Sequence, residues 1–213
     1  MDLTELIDSR RFLGSEFLMW LWYKSACFDG LFEVRHHGEL EVIFDDRLTL
    51  EAYVAETESN VFKGGAPAFS PEAKTALREG KRPTRARLRV IKEGREWKFK
   101  FKAEDFNLST LKIPSLLSER DDEQFFERMT LIEEIEEILE ALYREFLTIR
   151  TSDAWNDAMV PAIREWIFAD DRVDPEAYPS NLLDRIYDGE FGDPLPGERA
   201  AADGGEPAAA DAE

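Results

Sequence analysis

The chain has 213 residues, with 46 acidic and 27 basic side chains that give a formal net charge of −19. Hydrophobic residues make up 43% of the chain and aromatic residues 12%, enough for a buried core, so the composition excludes a disordered protein. The single cysteine, Cys27, excludes a disulfide framework and a zinc site built on several thiolates, and it favours a reducing, cytoplasmic compartment. The negative charge by itself argues against nucleic acid and anionic membranes as partners.

The N-terminal half begins with a predicted buried helix. Residues 17–23 are strongly apolar but far shorter than the ~20 residues that cross a membrane, and the acidic N-terminus does not resemble a secretory signal. We expect no membrane partner and a core helix over about 15–26, with Ser15 as N-cap and Asp29-Gly30 as the stop. Residues 31–54 then alternate with period two and predict an antiparallel meander, with turns at His37-Gly38 and Asp45-Asp46.

A loop over 63–67 leads into a short predicted helix. Ser70 is its expected N-cap, Pro71 occupies the first helical position and Gly80 follows the end. A hairpin comes next, in which 84–91 pairs with 96–102 across residues 92–95.

The C-terminal part is predicted to be helical. Residues 121–150 form one long helix with a heptad-like apolar seam, for which we favour packing within the chain over self-association. A further helix begins near Ser152 and is kinked or divided at Pro161. Residues 193–213 are an acidic tail of disordered type. The predicted class is α+β: a sheet domain over 1–118, helices over 119–192 packed on it as one folding unit, and the tail.

The charge is unevenly distributed along the chain. Residues 74–102 contain twelve bases and three acids, a net charge of +9, so the other 184 residues carry −28. In the predicted hairpin, apolar side chains alternate with bases on both strands, so any register that joins the apolar rows puts six cations on one face. Two further bases lie just before the hairpin and would extend this strip. The candidate residues are Lys81, Arg82, Arg85, Arg87, Arg89, Lys98, Lys100 and Lys102.

Two interpretations of this strip remain open. It is either a solvated face whose charges are offset by acids elsewhere, or a surface for a polyanion whose phosphates supply the missing counter-charges. The aromatic residues of the second strand lie on the core face, so the second interpretation predicts contacts to the DNA backbone without base stacking or sequence preference.

Other motifs carry little chemistry. His36 and His37 point to opposite faces of a strand and lack a cysteine nearby, which argues against a metal site, and Cys27 is expected to be a buried thiol. Lys63-Gly64-Gly65 lacks the remainder of a phosphate-binding loop. The acids of the long helix, Glu133, Glu134, Glu136, Glu137 and Glu140, are expected on its solvated side. No pattern indicates an enzyme, a metal or a cofactor.

The order of these elements resembles the C-terminal half of the recombination-associated protein RdgC family over about residues 12–150. The matching stretches are 17–22, 70–73, 79–81 with the 84–88 strand, 97–101, and the acidic helix entry at 121–128. The resemblance implies a DNA-binding protein without sequence specificity, associated with recombination and the nucleoid, and members of this family form ring-shaped dimers around duplex DNA. The resemblance covers only the C-terminal half of that family, and elements that help close the ring in family members lie in the other half.

Two functions therefore follow from the sequence. The first is a non-enzymatic, sequence-independent binder of duplex DNA, with a homodimer as the implied assembly. The alternative is an acidic adaptor that binds a protein partner through the long helix 121–150 and the tail, since residues 119–150 contain eleven acids against four bases.

Overall fold

The computed structural model describes residues 3–52, 59–64, 68, 70–169, 178–179 and 181–191, with side chains from residue 13 onward. Two groups of three strands lie between the helices along the chain, and the strands form one antiparallel sheet, which confirms the predicted α+β class. The elements are α1 (Leu3–Cys27), β1 (Leu31–Val34), β2 (Gly38–Ala52), β3 (Ser59–Lys63), α2 (Pro71–Arg78), β4 (Lys81–Lys92), β5 (Arg95–Lys102), β6 (Asn107–Lys112), α3 (Asp121–Thr151), a π-helical turn (Trp155–Met159), α4 (Val160–Phe168) and α5 (Leu182–Tyr187).

The sheet has the order β1-β2-β4-β5-β6, with β3 paired to the other end of β2. Its apolar face packs on α1 and α3. The ring of Phe17 in α1 lies 5.8 Å from that of Phe101 in β5 and 5.6 Å from that of Phe146 in α3. Trp97 Nε1 donates a hydrogen bond of 2.9 Å to the carbonyl oxygen of Leu131, which joins β5 to α3. The opposite face of the sheet, called the open face below, carries mostly polar side chains.

Helix α1 begins earlier than the sequence suggests. It starts at Leu3, so the predicted start at Ser15 is wrong, and Gly14 lies inside the helix. A Cβ atom on Gly14 would stand 1.7 Å from the carbonyl oxygen of Ala103, because the backbone after β5 passes directly beside the helix. This glycine therefore allows a close approach between two elements and does not mark a helix end.

The predicted turn at Asp45-Asp46 is also wrong. Strand β2 continues through both residues, and its pairing to β4 shifts between Phe44 and Leu48. The extra residues form a bulge, which places the Asp46 carboxylate beside Arg87 on the next strand. The turn at His37-Gly38 is confirmed, since the His37 N–H donates to the carbonyl oxygen of Val34 at 3.0 Å.

Two strands, β3 and β6, were not predicted from the sequence. Strand β3 is short and includes Lys63, which the sequence assigns to a loop. In β6 the apolar positions change phase at Thr110, which has a positive φ of 52°, and the pairing to β5 shifts nearby. A one-residue irregularity hides the period-two pattern, because every later side chain moves to the other face.

The remaining elements agree with the sequence. Ser70 caps α2 through a 3.1 Å hydrogen bond from the Ala73 N–H to its Oγ, and the hairpin of β4 and β5 forms as predicted. The seam of α3 packs within the chain, with Ile135, Leu142 and Phe146 fully buried.

Pro161 also acts as the sequence suggests. It lies in the first turn of α4, directly after the π-helical turn, so the helical segment changes geometry where the proline ring would collide with an α-helical carbonyl group. Residues 65–67 of the predicted loop, 170–177, and the predicted tail 193–213 lie outside the described part of the chain.

Candidate nucleic-acid interface

The hairpin register aligns the predicted cations in pairs. Across β4 and β5, Arg85 faces Lys102, Arg87 faces Lys100 and Arg89 faces Lys98. The intervening residues Leu88, Val90, Trp97 and Phe99 are buried in the core, as alternation along the strands predicts. Six cations therefore share the open face, and no aromatic residue of the hairpin is available there for stacking against bases.

Neighbouring strands add three cations that the sequence analysis missed. Lys112 in β6 lies directly across from Lys98, and Arg47 in β2 lies across from Lys63 in β3. Pairing of Thr49 with Arg85 shows that this side of β2 belongs to the open face. The basic face consists of Arg47, Lys63, Arg85, Arg87, Arg89, Lys98, Lys100, Lys102 and Lys112. Knowledge of β3 and β6 was needed to find the added residues, because each is a single base in an unremarkable stretch.

Some cations of this face are neutralised locally. Arg87 Nη1 lies 2.8 Å from Asp46 Oδ2, and Lys98 Nζ lies 2.7 Å from Glu96 Oε1. Lys102 Nζ lies 3.1 Å from carboxylate oxygens of both Glu104 and Asp105, and these hydrogen bonds raise the pKa of its ammonium group. These pairs are at least one-third exposed, where ion pairs contribute little to stability.

The other cations of the face have no such partner. Within the described residues, six cations of the face make no ion pair: Arg47, Lys63, Arg85, Arg89, Lys100 and Lys112. The Arg89 Nε atom is buried and has no hydrogen-bond acceptor. An unsatisfied buried donor costs free energy, and like charges across a strand pair repel each other, so this arrangement is unfavourable within the chain itself.

Lys81 and Arg82 are placed differently from the hairpin cations. Lys81 is largely buried, and its Nζ donates to Asn60 Oδ1 at 3.0 Å and lies 3.5 Å from Glu79 Oε2. Arg82 lines a cleft beside Glu16 of α1, and the sheet pairing is irregular between Arg82 and Arg85. These two residues therefore do not extend the row of Arg85, Arg87 and Arg89.

The cations at the hairpin turn are used for packing. Glu134 of α3 accepts from Lys92 Nζ at 3.0 Å and from two nitrogens of Arg95 at 2.5 and 2.7 Å. Burial alone would raise the pKa of Glu134, but the hydrogen bonds and charges of Arg95 and Lys92 outweigh it and hold this pKa below its ordinary value. The expectation that Glu134 lies on the solvated side of the helix is therefore wrong, since it joins α3 to the hairpin.

Acidic residues occupy the other end of the same face. Glu33 lies across from Glu39 on β1 and β2, and Glu41 lies in the row that leads through Ile91 to Glu96. The open face is consequently acidic near β1. It is basic over β4, β5 and β6 and over the end of β2 that pairs with β3. A polyanion would be attracted to one half only.

In the described part of the chain, no group of three metal-ligating side chains occurs. His36 adopts a positive φ of 67° in the turn after β1. Cys27 is buried at the end of α1, and burial raises the pKa of its thiol to about 11, so it stays protonated at neutral pH. None of the described helices has the length and apolar character needed to cross a membrane.

Comparisons with known proteins give no identification. No protein-family model matches the chain, and no curated protein matches it.

Proposed function

We propose that this chain is a non-enzymatic, sequence-independent DNA-binding protein that holds the phosphate backbone of duplex DNA on its basic face. The observation that carries the proposal is the group of six cations of this face that have no carboxylate partner among the described residues. A chain of net charge −19 has enough acids to pair them, and at the hairpin turn it does so. A bound polyanion supplies the counter-charges that the fold leaves out.

The spacing of the face suits a row of phosphates. Neighbouring strands lie ~4.8 Å apart and alternate residues along a strand lie ~6.7 Å apart, so a phosphate on the face reaches more than one cation. Arginine can contact a phosphate through two nitrogens, whereas lysine acts as a point charge. Such contacts neutralise the backbone and do not distinguish bases, so binding is non-specific and strongly dependent on salt.

The resemblance to the RdgC family supplies the biological setting of this proposal. The proposed setting, taken from that resemblance, is recombination or the nucleoid of the cytoplasm, with the chain acting as a homodimer on duplex DNA. The charge pattern supports only the DNA contact. The dimer is tested separately, by measuring the mass of the protein in solution with and without duplex DNA. A single species of monomer mass in both conditions contradicts it.

Titration of a labelled duplex with the full chain tests the DNA contact. Detectable binding is expected at ~50 mM salt, with affinity falling as salt rises. The variant Arg85→Gln/Arg89→Gln/Lys100→Gln removes three unpaired cations, so the slope of log affinity against log salt should fall by about 2.7.

The matched control removes the same charge elsewhere. Arg120, Arg128 and Arg144 are exposed on or beside α3, away from the basic face, and their triple glutamine variant should keep the parental slope. Equal losses in the two variants would show that net charge alone drives binding and would sink the proposed interface. Absence of binding at low salt would sink the proposal as a whole.

One observation favours the adaptor as a second candidate function. The first ten residues of α3 are mostly exposed, and they include Phe125 and Phe126 at 60% and 69% exposure. Leu117, at 89% exposure, precedes this tip, and Glu127 holds the backbone there by accepting from the N–H groups of Leu117 and Ser118 at 2.8 and 3.0 Å. An apolar cluster on an acidic helix is typical of a protein-binding surface.

Capture from nuclease-treated extract distinguishes the two functions. Protein partners that survive nuclease and are lost with Phe125→Ser/Phe126→Ser support the adaptor. Partners that disappear with nuclease and depend on Arg85, Arg89 and Lys100 support DNA binding instead.

A further inference from the structure

A cleft opens on the side of the molecule that the helices cover. It has a volume of about 340 Å³, within the range of small-molecule sites. Leu77, Trp155 and Ile163 are buried at its floor, whereas Phe168 is 61% exposed. Most of its lining is apolar and comes from α1, α2, the π-helical turn and α4: Met19, Leu77, Trp155, Val160, Ile163, Ile167 and Phe168.

Among the described residues, the charged lining of this cleft is basic, although the chain as a whole is acidic. Arg78, Arg82 and Arg164 contribute three positive charges and Glu16 one negative charge. Glu16 is already neutralised, because its Oε2 lies 2.6 Å from Nε of Arg150. Burial raises the pKa of the Glu16 carboxyl group even though Arg150 and Arg82 favour its charged form.

Arg78 and Arg164 have different surroundings in this cleft. The Arg78 guanidinium donates to the carbonyl oxygens of Ile167 at 2.9 Å and Phe168 at 3.3 Å, so it fixes the end of α4 as a wall of the cleft. Arg164 is exposed on α4, and its side chain makes no ion pair or hydrogen bond with the described residues. A cation thus stands beside an apolar cleft without a carboxylate of the described chain to neutralise it.

We propose that this cleft binds a small amphiphile with a carboxylate or phosphate head and an apolar body. The head lies against Arg164 and Arg82, and the body covers the floor around Trp155 and Ile163. Charge complementarity selects an anionic ligand over a neutral or cationic one of equal length. This site is independent of the proposed DNA binding, since neither Arg164 nor the apolar floor belongs to the basic face.

Calorimetric titration of the full chain with four ten-carbon probes tests the ligand class. Decanoate and decyl phosphate should bind, decanol should bind about tenfold more weakly for want of a charge-assisted contact, and decyltrimethylammonium should not bind. The ratio between the two anionic probes identifies which head the site prefers. Equal binding of all four probes, or of none, would overturn the proposal.

Two variants test whether the ligand binds in the cleft. Arg164→Gln lies at an exposed position, so the fold should be kept, and it should reduce decanoate affinity about tenfold towards that of decanol. Val160→Phe fills the cleft from a half-buried position and should weaken all probes. Arg144→Gln, an exposed arginine of α3, should change nothing. Decanoate binding that is unaffected by Arg164→Gln contradicts the site even if the filled variant does not fold.

Discussion

The same hairpin contains two groups of cations with opposite surroundings. At its turn, Lys92 and Arg95 are drawn to Glu134 of α3 and become part of the packing. On its open face, Arg85, Arg89 and Lys100 stand beside other cations and lack ion-pair partners among the described residues. Basic residues of one short segment therefore differ in their partners: α3 neutralises those at the turn, whereas no element covers Arg85, Arg89 and Lys100 on the open face among the described residues.

The largest expected effect on DNA affinity comes from reversing the charge of the unpaired cations. Arg85→Glu/Arg89→Glu/Lys100→Glu should weaken binding of duplex DNA on the order of 100-fold at low salt, because repulsion replaces three phosphate contacts. Affinity is measured by titration of a labelled duplex, with circular dichroism as the check on folding.

The matched variant reverses cations of the same face that already have acidic partners. Arg87→Glu/Lys98→Glu/Lys102→Glu changes the net charge equally and should cost clearly less affinity, since these cations must first leave their carboxylates. If the second triple variant costs as much as the first, pairing within the chain does not decide which cations bind DNA.

The next effect concerns stability and lies at the turn. Glu134→Gln should lower the free energy of unfolding by about 2 kcal/mol, because charge-assisted hydrogen bonds to Lys92 and Arg95 are lost in a half-buried setting. Urea unfolding measures the change, and Glu133→Gln on the exposed side of the same helix should be nearly neutral. DNA affinity should stay at the parental value in both variants. A loss of DNA affinity in Glu134→Gln alone would show that the cations at the turn also contribute to DNA binding.

The same carboxylate predicts a pH dependence. The pKa of Glu134 is held below its ordinary value of 4.5 by Arg95 and Lys92 despite its burial. Its contribution is therefore fully present above that ordinary value and is lost as the pH falls through the lower pKa of the folded state. Thermal unfolding from pH 7 to pH 3 should show the parental chain losing its advantage over Glu134→Gln below about pH 4.5. An advantage that persists unchanged at pH 3 contradicts this assignment.

The smallest expected effect is an increase in the stability of the fold. Arg89→Gln should raise stability by about 0.5 kcal/mol, since it relieves repulsion from Lys98 across the strands. The same substitution should reduce the salt dependence of DNA binding by about 0.9 in slope. Arg87→Gln is the control, because it loses the Asp46 pair along with the repulsion and should gain nothing. A destabilised Arg89→Gln variant would show that this side chain serves the fold.

Part of the fold and of the candidate site was predictable from sequence patterns. The period-two pattern of the hairpin correctly places Trp97 and Phe99 in the core and Arg87 on the other face, because alternation is a local property of extended backbone. The caps of α2 and the seam of α3 follow from equally local rules. Lys112 and Arg47 were missed, because β6 contains an irregularity at Thr110 and β2 a bulge that resembles a turn.

Local sequence patterns were sufficient to predict the α+β class, the concentration of positive charge in and beside one hairpin, and the burial of the aromatic rows. Each of these depends on residue type and on the spacing of near neighbours along the chain. Three features depend on tertiary packing instead: Glu134 neutralises the hairpin turn, Gly14 lets the backbone at Ala103 pass close to α1, and Arg82 lines a cleft beside Glu16. Those outcomes depend on which distant segments pack together, and the local pattern of residues does not encode the distance between them.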